Sequence, residues 1–229
     1  MSIDFSGTIR HHRKKLDRLR YALSQRWELT VDDVSVDIAG TDLLHLVNTK
    51  YNFRNELPLG EVLVSDIEPT DIFWDVGADV GVYTCLGASI ASQTFAFEPA
   101  PLRRIQTEKN VVINDLDAEV FEIGFGDGDV WEVEGTEFPT EIADEFQRER
   151  EIPKPTVMKM DIEGGEYAAL EGMTDVLEDL RILYVEIHPE MLAERGHDAA
   201  ALRRHLETLG FAVEELVEHK PQQIVRCTR

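Results

Sequence analysis

Cysteine is nearly absent: Cys85 and Cys227 are the only two in 229 residues, far apart and in no ligand motif. Neither a disulfide framework nor a thiolate metal site is expected, and the simplest reading is a pair of reduced core thiols in a cytoplasmic protein. No run of 18 apolar residues occurs, so no transmembrane helix is expected. The N-terminal MSIDFSGTIRHHRKK lacks the apolar stretch of a signal peptide. Positive charge is scarce as well. Twenty-three Lys and Arg stand against 45 Asp and Glu, a net charge of −22, which argues against general affinity for nucleic acid or an anionic membrane. Such a surface suits a halophilic, high-salt cytoplasm, where screening removes self-repulsion.

What the sequence does have is a core-forming hydrophobic fraction of 43% and a stretch around which the rest is organised, DIFWDVGADVGVYT from Asp71 to Thr84. Ile72 to Val76 is a short run of β-forming residues, the pattern of a strand buried on both faces. Gly77 and Gly81 then permit positive φ and close approach of a ligand, and the residues from Val82, including Tyr83 and Thr84, open a helix. The spacing differs from a dinucleotide fingerprint: Ala78 stands where G-x-G-x-x-G places its second glycine, and Asp79 makes the loop acidic. Further on, Gln93 to Phe97 reads as a second strand ending in Glu98, a carboxylate placed to accept from both ribose hydroxyls of an adenosine. An acidic loop and a ribose-binding Glu suit a cationic nucleoside such as S-adenosylmethionine. An ordinary tight turn with a surface Glu is the plainer alternative.

Taken in order, residues 8 to 27 read as a helix bearing an isolated basic block, Arg10 to Arg20. It suits a docking face for an acidic substrate, a nucleic acid or a membrane, or a solvated face pairing with the protein's own acidic body or a second subunit in a homodimer. Val34 to Ile38 and Leu43 to Val47 read as a hairpin across Ala39–Asp42, Tyr51 to Leu59 as loop, and Gly60 to Ile67 as a short helix. From Asp71 strands and helices alternate, which implies a mostly parallel sheet. The division is residues 1–70, an extension packing on the core, and 71–229, the ligand-binding domain. Pro99 and Pro101 open a helix to about Ile113, and Ala118 to Ile123 is the third strand. The tip Gly124–Asp129, with Gly126 and Asp127, fits an adenine edge or, equally, a plain Asp-Gly turn. Val130 to Val133 is a short strand and Pro139 to Arg150 an acidic helix. Thr156 to Met160 and Arg181 to Ile187 are the fourth and fifth strands. A helix from Ala199 to Leu209 precedes the last two strands, an antiparallel pair.

Five segments carry a family resemblance: D-V-G-A-D-V-G at Asp75 to Gly81, F-E-P at Phe97 to Pro99, I-G-F-G-D at Ile123 to Asp127, K-M-D-I-E-G-G-E at Lys159 to Glu166, and E-I-H at Glu186 to His188. With these in order, the chain resembles the FkbM family of S-adenosylmethionine-dependent methyltransferases. The family usually has Asn where this chain has Asp79. The resemblance implies a Rossmann-like class I fold, a seven-stranded mostly parallel sheet in order 3-2-1-4-5-7-6 with helices on both faces. It also implies S-adenosylmethionine as cofactor and O-methylation of a small-molecule or glycan hydroxyl, with no nucleic-acid partner and no membrane insertion. Its cofactor-binding positions here are Asp75, Gly77, Ala78, Asp79, Gly81, Tyr83, Thr84, Glu98, Pro99, Gly126, Asp127 and Asp161.

Methyl transfer to an alcohol needs a positioned oxygen and somewhere for its proton to go. Asp161 ends the strand beside the glycine loop, Lys159 lies two residues before it on the same strand face, Glu163 is on the next turn, and His188 ends the neighbouring strand. These four form the candidate catalytic set, His188 as general base. His188 also suits a structural cap hydrogen-bonded to Glu163 or Glu166. No metal site is expected, because carboxylates with one histidine show no ligand spacing. The competing functions are a non-catalytic S-adenosylmethionine-binding module and a nicotinamide-dependent oxidoreductase; the intact Lys159–Glu166 block and the missing glycine argue against them.

Overall fold

The computed structural model describes residues 26–133, 136–219 and 222–229; the basic helix expected over 8–27 lies outside them except at its last two positions, where Trp27 opens a strand. Twelve strands are described: β1 Trp27–Val31, β2 Val34–Ile38, β3 Ile72–Val76, β4 Gln93–Phe97, β5 Glu119–Phe121, β6 Gly124–Phe125, β7 Val130–Val133, β8 Thr136–Glu141, β9 Val157–Met160, β10 Ile182–Ile187, β11 Ala212–His219 and β12 Gln222–Thr228. The helices are α1 Leu43–Asn55, α2 Leu57–Asp66, α3 Val82–Ala88, α4 Pro101–Ile113, α5 Ala143–Arg150, α6 Glu166–Glu171, α7 Pro189–Glu194 and α8 Ala199–Thr208.

Seven strands form one sheet in the order β11-β12-β10-β9-β3-β4-β5. β12 runs antiparallel to both neighbours, and the remaining pairs are parallel. The uninterrupted apolar runs of β3, β9 and β10 follow from burial on both faces. Successive residues of a strand point to opposite faces, and the core divides accordingly. Phe73, Val157 and Tyr184 join one cluster with residues of β1, β2 and α1–α4. Trp74, Met158 and Val185 join the other with residues of α5–α8.

Three expectations for the local structure are corrected. The hairpin is β1–β2, turning at Asp32-Asp33 with Asp32 at φ 49°, whereas Leu43–Val47 is helix. Asp42 decides this: its side chain accepts from the amides of Leu44 at 2.7 Å and His45 at 2.9 Å, an N-cap that starts α1. Tyr51 to Leu59, read as loop, belongs to α1 and α2, with Pro58 in the first turn of the latter. The acidic helix begins at Ala143, and Thr136–Glu141 is instead the middle strand of a second sheet, order β6-β8-β7.

Candidate active site

The glycine loop leaves β3 through three left-handed residues, Gly77 at φ 81°, Asp79 at φ 50° and Gly81 at φ 79°. A Cβ at Gly77 would lie 1.8 Å from the Asp161 carbonyl oxygen, and one at Gly81 would lie 2.6 Å from Thr107. Both glycines therefore serve the approach of neighbouring elements, the end of β9 and helix α4. The amides of Gly77 and Ala78 donate to the Phe97 carbonyl at 2.9 and 3.1 Å. This brings the loop against the tip of β4, where Glu98 accepts from the Asp79 amide and the Ala100 amide, each at 2.8 Å. Burial pushes the Glu98 carboxyl up to about 7, despite those two hydrogen bonds.

A cavity of about 470 Å³ opens above these strand tips, a size suited to a nucleoside-sized ligand. Of the candidate cofactor-binding and catalytic residues, Gly77, Ala78, Asp79, Tyr83, Glu98, Pro99, Lys159 and Asp161 line it. Asp75, Thr84 and Gly81 do not. Asp75 and Thr84 are fully buried under the floor, paired at 2.6 Å, and desolvation raises the Asp75 pKa. Gly126 and Asp127 stay outside too: Asp127 accepts from the Trp131 indole N–H at 3.2 Å and closes its own turn. Ile123, Gly124, Phe125, Trp131 and Phe138 take their place as an apolar roof.

The floor is charged. Lys159 is buried, donates to the Gly77 carbonyl at 3.2 Å and to Asp161 at 3.3 Å, and lies 3.7 Å from Asp75. Burial works against its charge, but Asp161 and Asp75 outweigh it and raise the pKa. His188 Nδ1 pairs with Glu166 Oε1 at 2.8 Å, the structural contact foreseen as an alternative. Burial disfavours the charged imidazole, yet the Glu166 hydrogen bond and the Asp161 carboxylate hold its pKa at about 9. Both carboxylates thus favour the charged form of the ring. Glu186 beside it is pushed up to about 8 by burial and by Asp161. Glu163 also lines the cavity.

The wall opposite is α1, which sequence reading missed. His45, Asn48, Thr49 and Asn52 line the cavity with Glu56 at the helix end; their i, i+3, i+4, i+7 spacing is one helical stripe, legible only once the segment is known to be helix. The Tyr83 hydroxyl donates to Glu56 at 2.8 Å. His45 and Arg103 approach one oxygen of Asp79, at 3.3 and 3.5 Å. The hydrogen bond to Asp79 raises the His45 pKa.

A buried acidic residue at the tip of β4, a glycine loop on β3 and a carboxylate ending β9 converge on one cavity, and known proteins share the frame. Residues 130–213 match the methyltransferase FkbM domain family. A protein described as hexuronic acid methyltransferase AglP, from Haloferax volcanii, is 31% identical over 154 residues, which is 60% of this chain and 64% of that relative. The match thus spans less than two thirds of the relative's length. An FkbM methyltransferase structure from Methylobacillus flagellatus aligns with 98% of this chain and 60% of its own, TM-score 0.54 at 16% identity. A Streptococcus mutans protein solved in complex with SAH aligns over 74% of this chain and 94% of its own, TM-score 0.52 at 12% identity. These structural likenesses establish the class I methyltransferase fold with its seven-stranded, mostly parallel sheet. Among the described residues, no helix is long and apolar enough to cross a membrane.

Proposed function

We propose that this chain is an FkbM-type methyltransferase, transferring the methyl group of S-adenosylmethionine to an oxygen of a hydroxyl-rich acceptor, a hexuronic acid free or within a glycan. The observation that carries the reading is Glu98. It is a buried carboxylate at a strand tip, oriented by two backbone amides and lining the cavity beside Gly77–Asp79. Its remaining lone pairs suit the two ribose hydroxyls, the roof of Ile123 and Phe125 suits a flat base, and the acidic floor suits a sulfonium. When bound, S-adenosylmethionine supplies an activated carbon: the acceptor oxygen bonds to the methyl as the C–S bond breaks and its electron pair stays on sulfur. The chain's own contribution is to orient the acceptor and keep water out.

In this reading Lys159 fixes Asp161, which orients the acceptor hydroxyl or the donor's amino group. The proton leaves the acceptor for the carboxylate of Asp161 or Glu163, with Glu186 and His188 holding that group in place. The polar stripe of α1 offers amides to sugar hydroxyls, and Arg103 offers a counter-charge to a uronate. The name of the Haloferax volcanii relative supports this acceptor class, and a net charge of −22 favours a glycan over nucleic acid.

The test is calorimetry in molar potassium chloride with S-adenosylhomocysteine and with NAD, followed by transfer of labelled methyl to hexuronic acids. S-adenosylhomocysteine is expected to bind and NAD not. Glu98→Ala should weaken binding by about 1–3 kcal/mol through the loss of hydrogen bonds to a charged group. Unchanged affinity in that variant would remove Glu98 from the ribose site, and NAD binding alone would overturn the reading.

A further inference from the structure

One end of the cavity gathers Asp161, Glu163 and Glu186 around His188. Asp161 ends β9 and His188 follows β10, whose residue Glu186 lies one turn of the pleat earlier; these are neighbouring parallel strands in register, Met160 opposite Val185. Asp161, Glu186 and His188 each offer an oxygen or ring nitrogen, and the three donor atoms lie within 4.8 Å of one another. His188 Nε2 is 3.6 Å from Asp161 Oδ1, 3.7 Å from Glu186 Oε1 and 3.8 Å from Glu163 Oε2. These are near-equal separations, all longer than a hydrogen bond. The ring is only 6% exposed and cannot turn away, because Nδ1 is held at 2.8 Å by Glu166, a fully buried carboxylate that itself takes the Gly164 amide at 3.1 Å. A carboxylate on one ring nitrogen that aims the other at a gap among carboxylates is the supporting arrangement of metal-binding histidines.

Charge makes the same point. Asp75, Asp161, Glu163, Glu166 and Glu186 face Lys159 and the His188 ring, and Lys159 approaches Asp161 through Oδ2, leaving Oδ1 toward the histidine. We propose that Asp161 Oδ1, a Glu186 oxygen and His188 Nε2 form a binding site for one divalent cation, with Glu163 within reach as a fourth ligand. Ligand bonds of about 2.0–2.2 Å place neighbouring donor atoms roughly 3–4 Å apart, so the observed spacings need only a small contraction. Two carboxylates with one imidazole suit manganese and its first-row neighbours, with no thiolate to favour softer ions. On binding, the proton on Nε2 leaves to solvent. Given the methyl-transfer reading, on which this role rests, the ion would anchor the acceptor oxygen and ease its deprotonation. Sequence spacing hides the site because its ligands come from two strand ends.

The test uses the full chain in molar potassium chloride, stripped of metal and titrated with Mn2+ in the absence of any methyl donor, so it is independent of the methyl-transfer reading. One Mn2+ per chain is expected, with 14N coupling from an imidazole in its electron spin-echo spectrum. Glu186→Gln should weaken binding about tenfold or more, and His188→Gln should abolish the nitrogen coupling. Glu207→Gln, on the exposed face of α8, controls for ions gathered by the acidic surface and should change nothing. Failure of the wild-type chain to bind Mn2+, bound Mn2+ without nitrogen coupling, or undiminished affinity in a Glu186→Gln protein that melts like wild type would each overturn the proposal. The wild-type spectrum decides the matter even if His188→Gln does not fold.

Discussion

Glu98 links the site to stability through a single proton. Burial raises its pKa to about 7 from 4.5, the Ala100 and Asp79 amides pull down, and the facing charges of Asp79 and Arg103 oppose each other. A carboxyl whose folded pKa exceeds its unfolded one stabilises the fold fully below the unfolded value. That contribution is lost as pH rises through the folded value. Between pH 4.5 and about 7 the melting point of the wild type should therefore fall relative to Glu98→Gln, and above pH 7 the gap should stay constant. Melts of both proteins at fixed salt check this. The constant offset reports the hydrogen bonds a glutamine cannot accept; only the slope reports the proton. A gap that does not vary with pH would mean that Glu98 titrates as it does in water.

At the scale of elements, the outer edge of β2 is paired by a helix. Asn114, the cap that ends α4, accepts from the Asp37 amide at 2.7 Å and donates to the Asp37 carbonyl at 2.8 Å. One turn earlier, Asn110 treats Ala39 in the same way, at 3.0 and 2.8 Å, and also donates to the Val80 carbonyl at 2.7 Å. Helical i, i+4 thus meets strand i, i+2, and two side-chain amides replace a neighbouring strand. Asn110 is fully buried, so Asn110→Ala strands backbone groups at about 1–3 kcal/mol each. Denaturant unfolding should show a loss of at least the lower figure. A smaller loss would mean water takes the amide's place.

The same scale shows what could be read from the residues alone. β3, β4, β9 and β10 were legible because burial on both faces leaves uninterrupted apolar runs. The loop was legible because three left-handed positions in five residues demand Gly or Asp. With those strands came Glu98, Asp161 and His188 at their tips. α1 was not legible: Leu43–Val47 is a short apolar run of no distinct period, and only the Asp42 cap separates it from a strand. With α1 went the wall of His45, Asn48 and Asn52. β8 was hidden by Pro139, which argues against a strand interior; it sits opposite Val130, before the stretch where β6 pairs on the other side. The depth of Asp75 and Thr84 was not legible, because strand-end position says nothing of burial, and Lys159 lies 3.7 Å from Asp75 on the cavity side.

The whole molecule carries a net charge of −22 on 229 residues, and self-repulsion of that size falls when the Debye length shrinks below the spacing of surface charges. The melting point should climb steadily from low to molar potassium chloride. Equal midpoints across that range would show that the acidic surface is not an adaptation to salt. Buried contacts such as Lys159 with Asp161 are screened far less than surface pairs, so the gain belongs to the surface.

The roof adds a property of the intact molecule. Of its three tryptophans, Trp74 is sealed in the core and Trp27 lies in the cluster beneath β1, whereas Trp131 lines the cavity. Its indole packs over Gly165, where a Cβ would come within 1.9 Å of the ring, and the Arg195 guanidinium lies 4.1 Å from the ring centroid. Whatever enters beneath the roof meets this indole directly, whereas Trp74 and Trp27 touch the cavity only through the rings of Phe97, Phe125 and Phe53. The occupancy of the cavity is thereby written into the unlabelled protein's own ultraviolet emission.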